Sequence, residues 1–174
     1  MVLPDYFMKN TPRLLRSVFS ALILFVALQF AAAQNVQIIN LDQLEQRLEK
    51  GADTNFVVNF WATWCGPCVK ELPYFENLGA NRSKEKFKVL LVTLDFAESL
   101  QSKVVPFIKK KDIKSEVLLL DESNPNKWIP RVSEEWSGAI PATIFINKQK
   151  KTRHFHEGSF KEGELEAKLK EIGF

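Results

Sequence analysis

Both cysteines of this 174-residue chain lie in one short window, Asn59-Phe60-Trp61-Ala62-Thr63-Trp64-Cys65-Gly66-Pro67-Cys68-Val69-Lys70-Glu71-Leu72-Pro73. The apolar run Phe56-Val57-Val58 before it reads as a buried strand, and the residues after Cys68 have helical spacing. The two thiols therefore fall on a strand-to-helix connection. Unpaired N–H groups and the positive end of the helix dipole favour a thiolate there, so the Cys65 pKa is expected below that of a free thiol. Cys65 is expected at the helix terminus with its sulfur partly exposed, and Cys68 one turn further in, away from water. Two unequal thiols suit exchange chemistry: one attacks a foreign disulfide, and the other displaces the mixed disulfide that forms.

The amino-terminal residues carry a different signal. Lys9, Arg13 and Arg16 precede an apolar run from Val18 to Leu28 that continues to Ala31-Ala32-Ala33. This is the pattern of an export signal over residues 1–33, with cleavage after Ala33 and a mature domain over 34–174. A retained anchor is the alternative, because Val18 to Ala33 approaches the ~17 residues at the short end for a spanning helix. Either reading puts the cysteines outside the cytoplasm, in the periplasm or cell envelope, where disulfides persist. The whole chain has 24 basic and 21 acidic residues. Without the first 33 the excess falls to a single charge, which argues against a nucleic-acid surface.

The rest of the chain alternates strand and helix. Val36 to Ile39 reads as a short strand, and Asn40 with Gln43 as the capping box of a helix whose Leu41, Leu44 and Leu48 face a core. Phe56 to Trp61 is the strand before the cysteines, with Trp61 as a packing residue. Pro73 falls inside the following helix and is expected to bend it. Phe87 to Phe96 reads as a central strand, with Asp95 as a turn cap outside the site. Helical spacing from Ser99 to Ile113 is interrupted at Pro106, and Lys109-Lys110-Lys111 is a solvated face. Val117 to Leu120 supplies another strand. In the stretch Asn124 to Trp136, Trp128, Ile129 and Trp136 read as core rather than as a partner-facing patch. Ala142 to Asn147 and Thr152 to His156 form a hairpin. His154 and His156 share a face of the second strand, but two ligands without convergent partners make no metal site. Ser159 and Glu162 read as a capping box for a terminal helix carrying Phe160, Leu165, Leu169 and Ile172.

Trp64-Cys65-Gly66-Pro67-Cys68 resembles the active-site pentapeptide of the thioredoxin superfamily. Phe60 and Trp61 upstream, Pro73 downstream, and the distant Gly138-Ala139-Ile140-Pro141-Ala142-Thr143 stand where that superfamily has them, and the likeness covers about Asn35 to Phe174. With Asn59 where thioredoxins carry a buried aspartate and Glu71 three residues after Cys68, the pattern is similar to the TlpA, ResA and CcmG-like extracytoplasmic group. The resemblance implies a thioredoxin-like α/β fold: a central mixed sheet flanked by helices, with a strand-helix insertion before the proline loop.

The same resemblance implies a division of labour. Cys65 is the nucleophile, Cys68 the resolving thiol, and Glu71 the group that exchanges a proton with Cys68. Trp64, Gly66, Pro67, Ile140 and Pro141 contact the substrate, the Ile140–Pro141 bond being cis. Asn59, Trp61 and Pro73 support the site. For Glu71 a solvated helix position is the alternative. The implied activity is reduction of protein disulfides, of which apocytochrome c before haem attachment is one, by a monomer that needs no cofactor beyond its own disulfide. A membrane protein that passes reducing equivalents outward is the implied electron donor. The Gly-Pro dipeptide between the cysteines matches thioredoxin, at about −270 mV, rather than DsbA near −120 mV. A disulfide oxidase or isomerase uses the same residues in the opposite direction. A redox-inert binding module is the alternative from another class.

Overall fold

A computed structural model describes residues 35–51 and 53–174, and the signal or anchor segment expected over 1–33 lies outside them. The elements follow one another as β1 Gln37–Ile39, α1 Leu41–Lys50, β2 Asn55–Trp61, α2 Gly66–Asn81, β3 Phe87–Thr93, α3 Val105–Lys111, β4 Glu116–Leu120, α4 Pro125–Val132, β5 Ala142–Asn147, β6 Thr152–Glu157 and α5 Glu164–Glu171. Six strands make one sheet in the order β1-β4-β3-β2-β5-β6. β1, β4, β3 and β2 run parallel, while β5 is antiparallel to β2 and β6 to β5. The sheet is mixed and the fold is thioredoxin-like, as the sequence predicts.

Alternation along the strands assigns each helix to a face. Val57 and Trp61 of β2, Val89 and Leu91 of β3 and Phe145 of β5 pack with Leu72 and Phe75 of α2, Ile108 of α3 and Leu165 and Leu169 of α5. Phe56, Val58 and Phe60 point the other way, onto Leu41, Leu44 and Leu48 of α1 and Trp128 and Val132 of α4. β2 is buried along its whole length, so its carboxyl end delivers the cysteines from a fully enclosed strand. The capping box expected at Asn40 and Gln43 is present: the Asn40 side chain accepts from the Gln43 amide, and Gln43 Oε1 accepts from the Asn40 amide, both at 2.9 Å.

Three expectations need correction. The third strand stops at Thr93 rather than Phe96, because Thr93 and Asp95 turn the chain and leave Phe96 in solvent. The helix expected from Ser99 is a 3₁₀ turn over Ala97–Ser99 and a π turn over Leu100–Val104 before α3 begins. Pro106 then sits in the first turn of α3, directly after the π turn. The terminal helix starts at Glu164 behind Gly163, whose φ is 78°, and no Ser159–Glu162 box forms. The physical reason lies at Phe160. Its ring is packed against Phe75 and Phe145, and its amide is taken by a carboxylate of α2, so the chain is still entering the core at that point.

β4 and α4 form the strand-helix insertion between α2 and the proline loop, with β4 wedged between β1 and β3. Trp128 and Trp136 are buried, as expected of core residues. The Trp136 ring lies 4.8 Å from Phe60, 5.3 Å from Trp128 and 6.1 Å from Phe155, and its Nε1 donates to the Ala139 carbonyl at 2.7 Å. One side chain thus joins the insertion, the sheet and the proline loop. Trp136→Ala is expected to lower the unfolding free energy by about 3–5 kcal/mol, measured by chemical denaturation, with Trp136→Phe falling between it and the native chain.

Candidate active site

Cys65 is the N-cap residue of α2, with extended backbone (φ −85°, ψ 100°), and Gly66 and Pro67 open the first turn. Pro67 has no N–H, and at that position none is needed. Cys65 and Cys68 are joined in a disulfide with a Cα–Cα distance of 5.3 Å. The Cys68 amide points at Cys65 Sγ from 3.3 Å, so sulfur takes the place of a capping oxygen. After reduction the same N–H and the helix dipole face the thiol, which favours its thiolate. Cys65, expected to be partly exposed, is buried at 6% exposure beneath the proline loop, and Cys68 is fully enclosed, as expected.

The proline loop closes the other side. Ile140–Pro141 is cis, and the Ile140 carbonyl oxygen lies 3.7 Å from Cys65 Sγ. Pro141 is buried, and its carbonyl accepts from the Gly158 amide at 2.9 Å. Trp61 is buried, with its ring 5.4 Å from Phe107. Pro73 lies inside a continuous α2, where no bond can run from its ring nitrogen to the Val69 carbonyl. Trp64, next to Cys65 in the chain, is 66% exposed, and Phe96, which follows Asp95 at the end of β3, is 77% exposed.

Glu71 is 1% exposed, which rules out a solvated helix position. It lies one turn after Cys68 on the buried side of α2. Its Oε1 accepts from Asn59 Nδ2 at 2.9 Å and its Oε2 from the Phe160 amide at 2.7 Å. Asn59 Nδ2 also donates to Thr143 Oγ1 at 3.1 Å, across the β2–β5 pair, where the two residues stand directly opposite. Burial drives the Glu71 pKa up, the two donated hydrogen bonds hold it down, and the result is a carboxyl raised from 4.5 to about 7.

Sequence reasoning did not include Thr143, Phe160 or Thr63 in the site. Nothing in a sequence marks a backbone amide as a carboxylate's partner, so Phe160 was out of reach. Thr143 was reachable as the residue two after the proline on an inward-facing strand position. Asp95 does turn the chain at the end of β3, as expected, and it also reaches the cysteine loop: its Oδ2 accepts from the Thr63 amide at 2.9 Å and its Oδ1 from the Thr63 hydroxyl at 2.6 Å. His156 stacks on Phe160, the ring centres 4.2 Å apart, and burial holds its pKa below the ordinary histidine value.

Residues 30–171 match the family model described as Redoxin. That span is most of the chain. The chain belongs to the Redoxin family. The protein is 29% identical over 132 residues to the thiol-disulfide oxidoreductase ResA of Oceanobacillus iheyensis, an alignment covering 76% of this chain and 64% of that one. Among solved structures, a thioredoxin-related protein from Neisseria meningitidis serogroup B superposes with a TM-score of 0.57 at 23% identity, covering 68% of this chain and 84% of that one. A secreted Mycobacterium tuberculosis disulfide oxidoreductase superposes with a TM-score of 0.50 at 20% identity, covering 68% and 82%. These two likenesses establish the fold. With the family they place the protein in the thioredoxin superfamily, beside the ResA-like group that the motif suggests.

In this Redoxin-family site a thiol pair and a carboxyl that titrates near neutrality occupy one buried face. The arrangement is that of a thiol–disulfide oxidoreductase: the sulfurs exchange electrons, and a nearby acid with a pKa close to the working pH suits proton transfer. The raised pKa is also a statement about stability. The folded state holds the Glu71 proton more tightly than the unfolded chain does, so its stabilising effect is complete below pH ~4.5 and is lost as pH rises through about 7. The full span is worth roughly 3 kcal/mol. His156 works in the opposite direction as pH falls below its unfolded value, so the difference between variants is the informative quantity. Denaturation from pH 4 to 9 should show Glu71→Gln gaining stability relative to the native chain as pH rises, with the change centred between 4.5 and 7.

Proposed function

We propose that the protein is an exported thiol–disulfide oxidoreductase that reduces disulfides in polypeptide substrates. The observation that carries this reading is the pairing of unequal sulfurs, Cys65 at the rim and Cys68 enclosed, with Glu71 buried one turn beyond. Cys65, as thiolate, attacks one sulfur of a substrate disulfide and releases the other as a thiolate. Cys68 loses its proton to Glu71 and attacks Cys65 Sγ, expelling the second substrate sulfur. The substrate leaves as a dithiol, and the protein is left with the Cys65–Cys68 disulfide. Trp64, Gly66, Pro67, Ile140 and Pro141 form the surface that receives the substrate strand, and Asn59, Trp61 and Pro73 support it. No cofactor beyond the cysteine pair enters these steps.

Polypeptide substrates are supported by Trp64, whose exposed ring adjoins Cys65 in the chain and suits an apolar chain segment rather than a small polar thiol. Export is supported by the basic, apolar and Ala-x-Ala pattern of residues 1–33. In that compartment a membrane thiol donor returns the protein to its dithiol form, and apocytochrome c belongs to the substrate class. The protein acts as a monomer. The reducing direction rests on the Gly66-Pro67 dipeptide, and the reverse, oxidation of substrate thiols, is the second reading.

The deciding measurement is the Cys65–Cys68 reduction potential, by equilibration with glutathione or dithiothreitol. The expected value lies below about −220 mV, and one near −120 mV would make the protein an oxidant. Cys68→Ser should accumulate a mixed disulfide on Cys65 in the presence of substrate, seen as a shifted band on a non-reducing gel, and Cys65→Ser should abolish it.

A further inference from the structure

Asp95 is a second buried carboxylate, 3% exposed, at the carboxyl end of β3. Three donors converge on it. The Thr63 amide and Thr93 hydroxyl donate to Oδ2 at 2.9 and 2.5 Å, and the Thr63 hydroxyl donates to Oδ1 at 2.6 Å. Among the described residues no ion pair includes Asp95. Thr63 stands two residues before Cys65, and the Cys65 amide donates to the Ala62 carbonyl at 3.1 Å. The Asp95 carboxylate is therefore fastened to the loop that holds the attacking sulfur, and chain geometry puts it within about 10 Å of Cys65.

A tether alone does not call for a charge. An asparagine oxygen can accept from the Thr63 amide and a hydroxyl, and its NH₂ can donate to the other hydroxyl oxygen. A buried carboxylate without a cation is costly, and three hydrogen bonds offset only part of that cost. What the charge adds is an electrostatic effect on the neighbouring sulfur. A fixed anion disfavours the Cys65 thiolate, which opposes the Cys68 amide and the helix dipole. Coulomb's law, with an effective dielectric of about 20 at about 10 Å, makes this on the order of tenfold in an equilibrium constant.

We propose that Asp95 is a positioning residue that sets the redox poise of the Cys65–Cys68 pair, its carboxylate both fixing the Thr63 loop and holding the couple toward the reducing end. The proposal rests on the reading of the pair as a reductant. The relevant equilibrium is protein disulfide plus two glutathione thiols giving protein dithiol plus glutathione disulfide, with two electrons passing to the protein and protons following the thiols. Destabilising the thiolate destabilises the reduced side, so the charge lowers the potential.

The test compares Asp95→Asn, which keeps hydrogen-bonding groups and loses the charge, with Thr63→Val, which keeps the charge and loses one tether. Each full-length protein is equilibrated with glutathione at pH 8, and the Cys65 thiol is titrated by thiolate absorbance. Asp95→Asn is expected to shift the equilibrium about tenfold toward the dithiol, which is ~30 mV upward, and to lower the thiol pKa. Thr63→Val is expected to stay within about twofold. Asp95→Ser supplies a second neutral variant if asparagine does not pack, and thermal melts report folding. An equilibrium unchanged in the neutral variants overturns the proposal, as does an equal shift in Thr63→Val. Because the effect is a difference from the native chain, a native couple that proves oxidising would defeat the reductase reading while leaving the contribution of Asp95 measurable.

Discussion

The desolvated carboxylate of Glu71 is the interaction on which the site depends. It is reached from three separate parts of the chain: α2 supplies it, β2 supplies Asn59, and the segment after β6 supplies the Phe160 amide. Through Asn59 the same network touches Thr143 on β5, two residues beyond the cis proline. A buried acid is costly unless its oxygens find donors, and the two donors here come from β2 and from the segment between β6 and α5. The acid can therefore keep its place beside Cys68 only when β2, β5, α2 and the chain leading to α5 are all assembled. Chemistry and tertiary structure share one set of hydrogen bonds.

Two carboxylates lie near one disulfide, and their surroundings differ. Glu71 has two N–H donors and a pKa near neutrality, which suits a group that gains and loses a proton. Asp95 has three donors packed into a turn, two of them from Thr63 in the cysteine loop. This difference follows from position: Glu71 faces the interior one turn beyond Cys68, and Asp95 closes the end of β3, fastened to Thr63.

Much of this was legible in the sequence, because the informative patterns are local. The cysteine window marked the strand-to-helix connection, apolar runs marked β2 and β3, and the family likeness marked the proline loop and Glu71. What was not legible depends on distant pairing. The late start of α5 follows from Phe160 being claimed by the core, which no local pattern reveals, and Ser159 with Glu162 gave a plausible box in the wrong place. Asp95 was visible as a turn residue. Its reach to Thr63 comes from the parallel register of β2 with β3, which puts Trp61 beside Thr93. Two residues read separately become neighbours only once the sheet exists.

The position of β1 bears on the order in which the fold can be completed. Its register sets Gln37 beside Leu118, and the Leu41 amide donates to a carboxylate oxygen of Glu122, 81 residues away, at 2.7 Å. A chain threaded amino terminus first would thus deliver β1 earliest, yet β1 has no strand to join until β4 has arrived and docked. Its three residues would wait unpaired through the synthesis or passage of half the molecule. A strand this short offers little edge for a stray chain to adhere to during that interval.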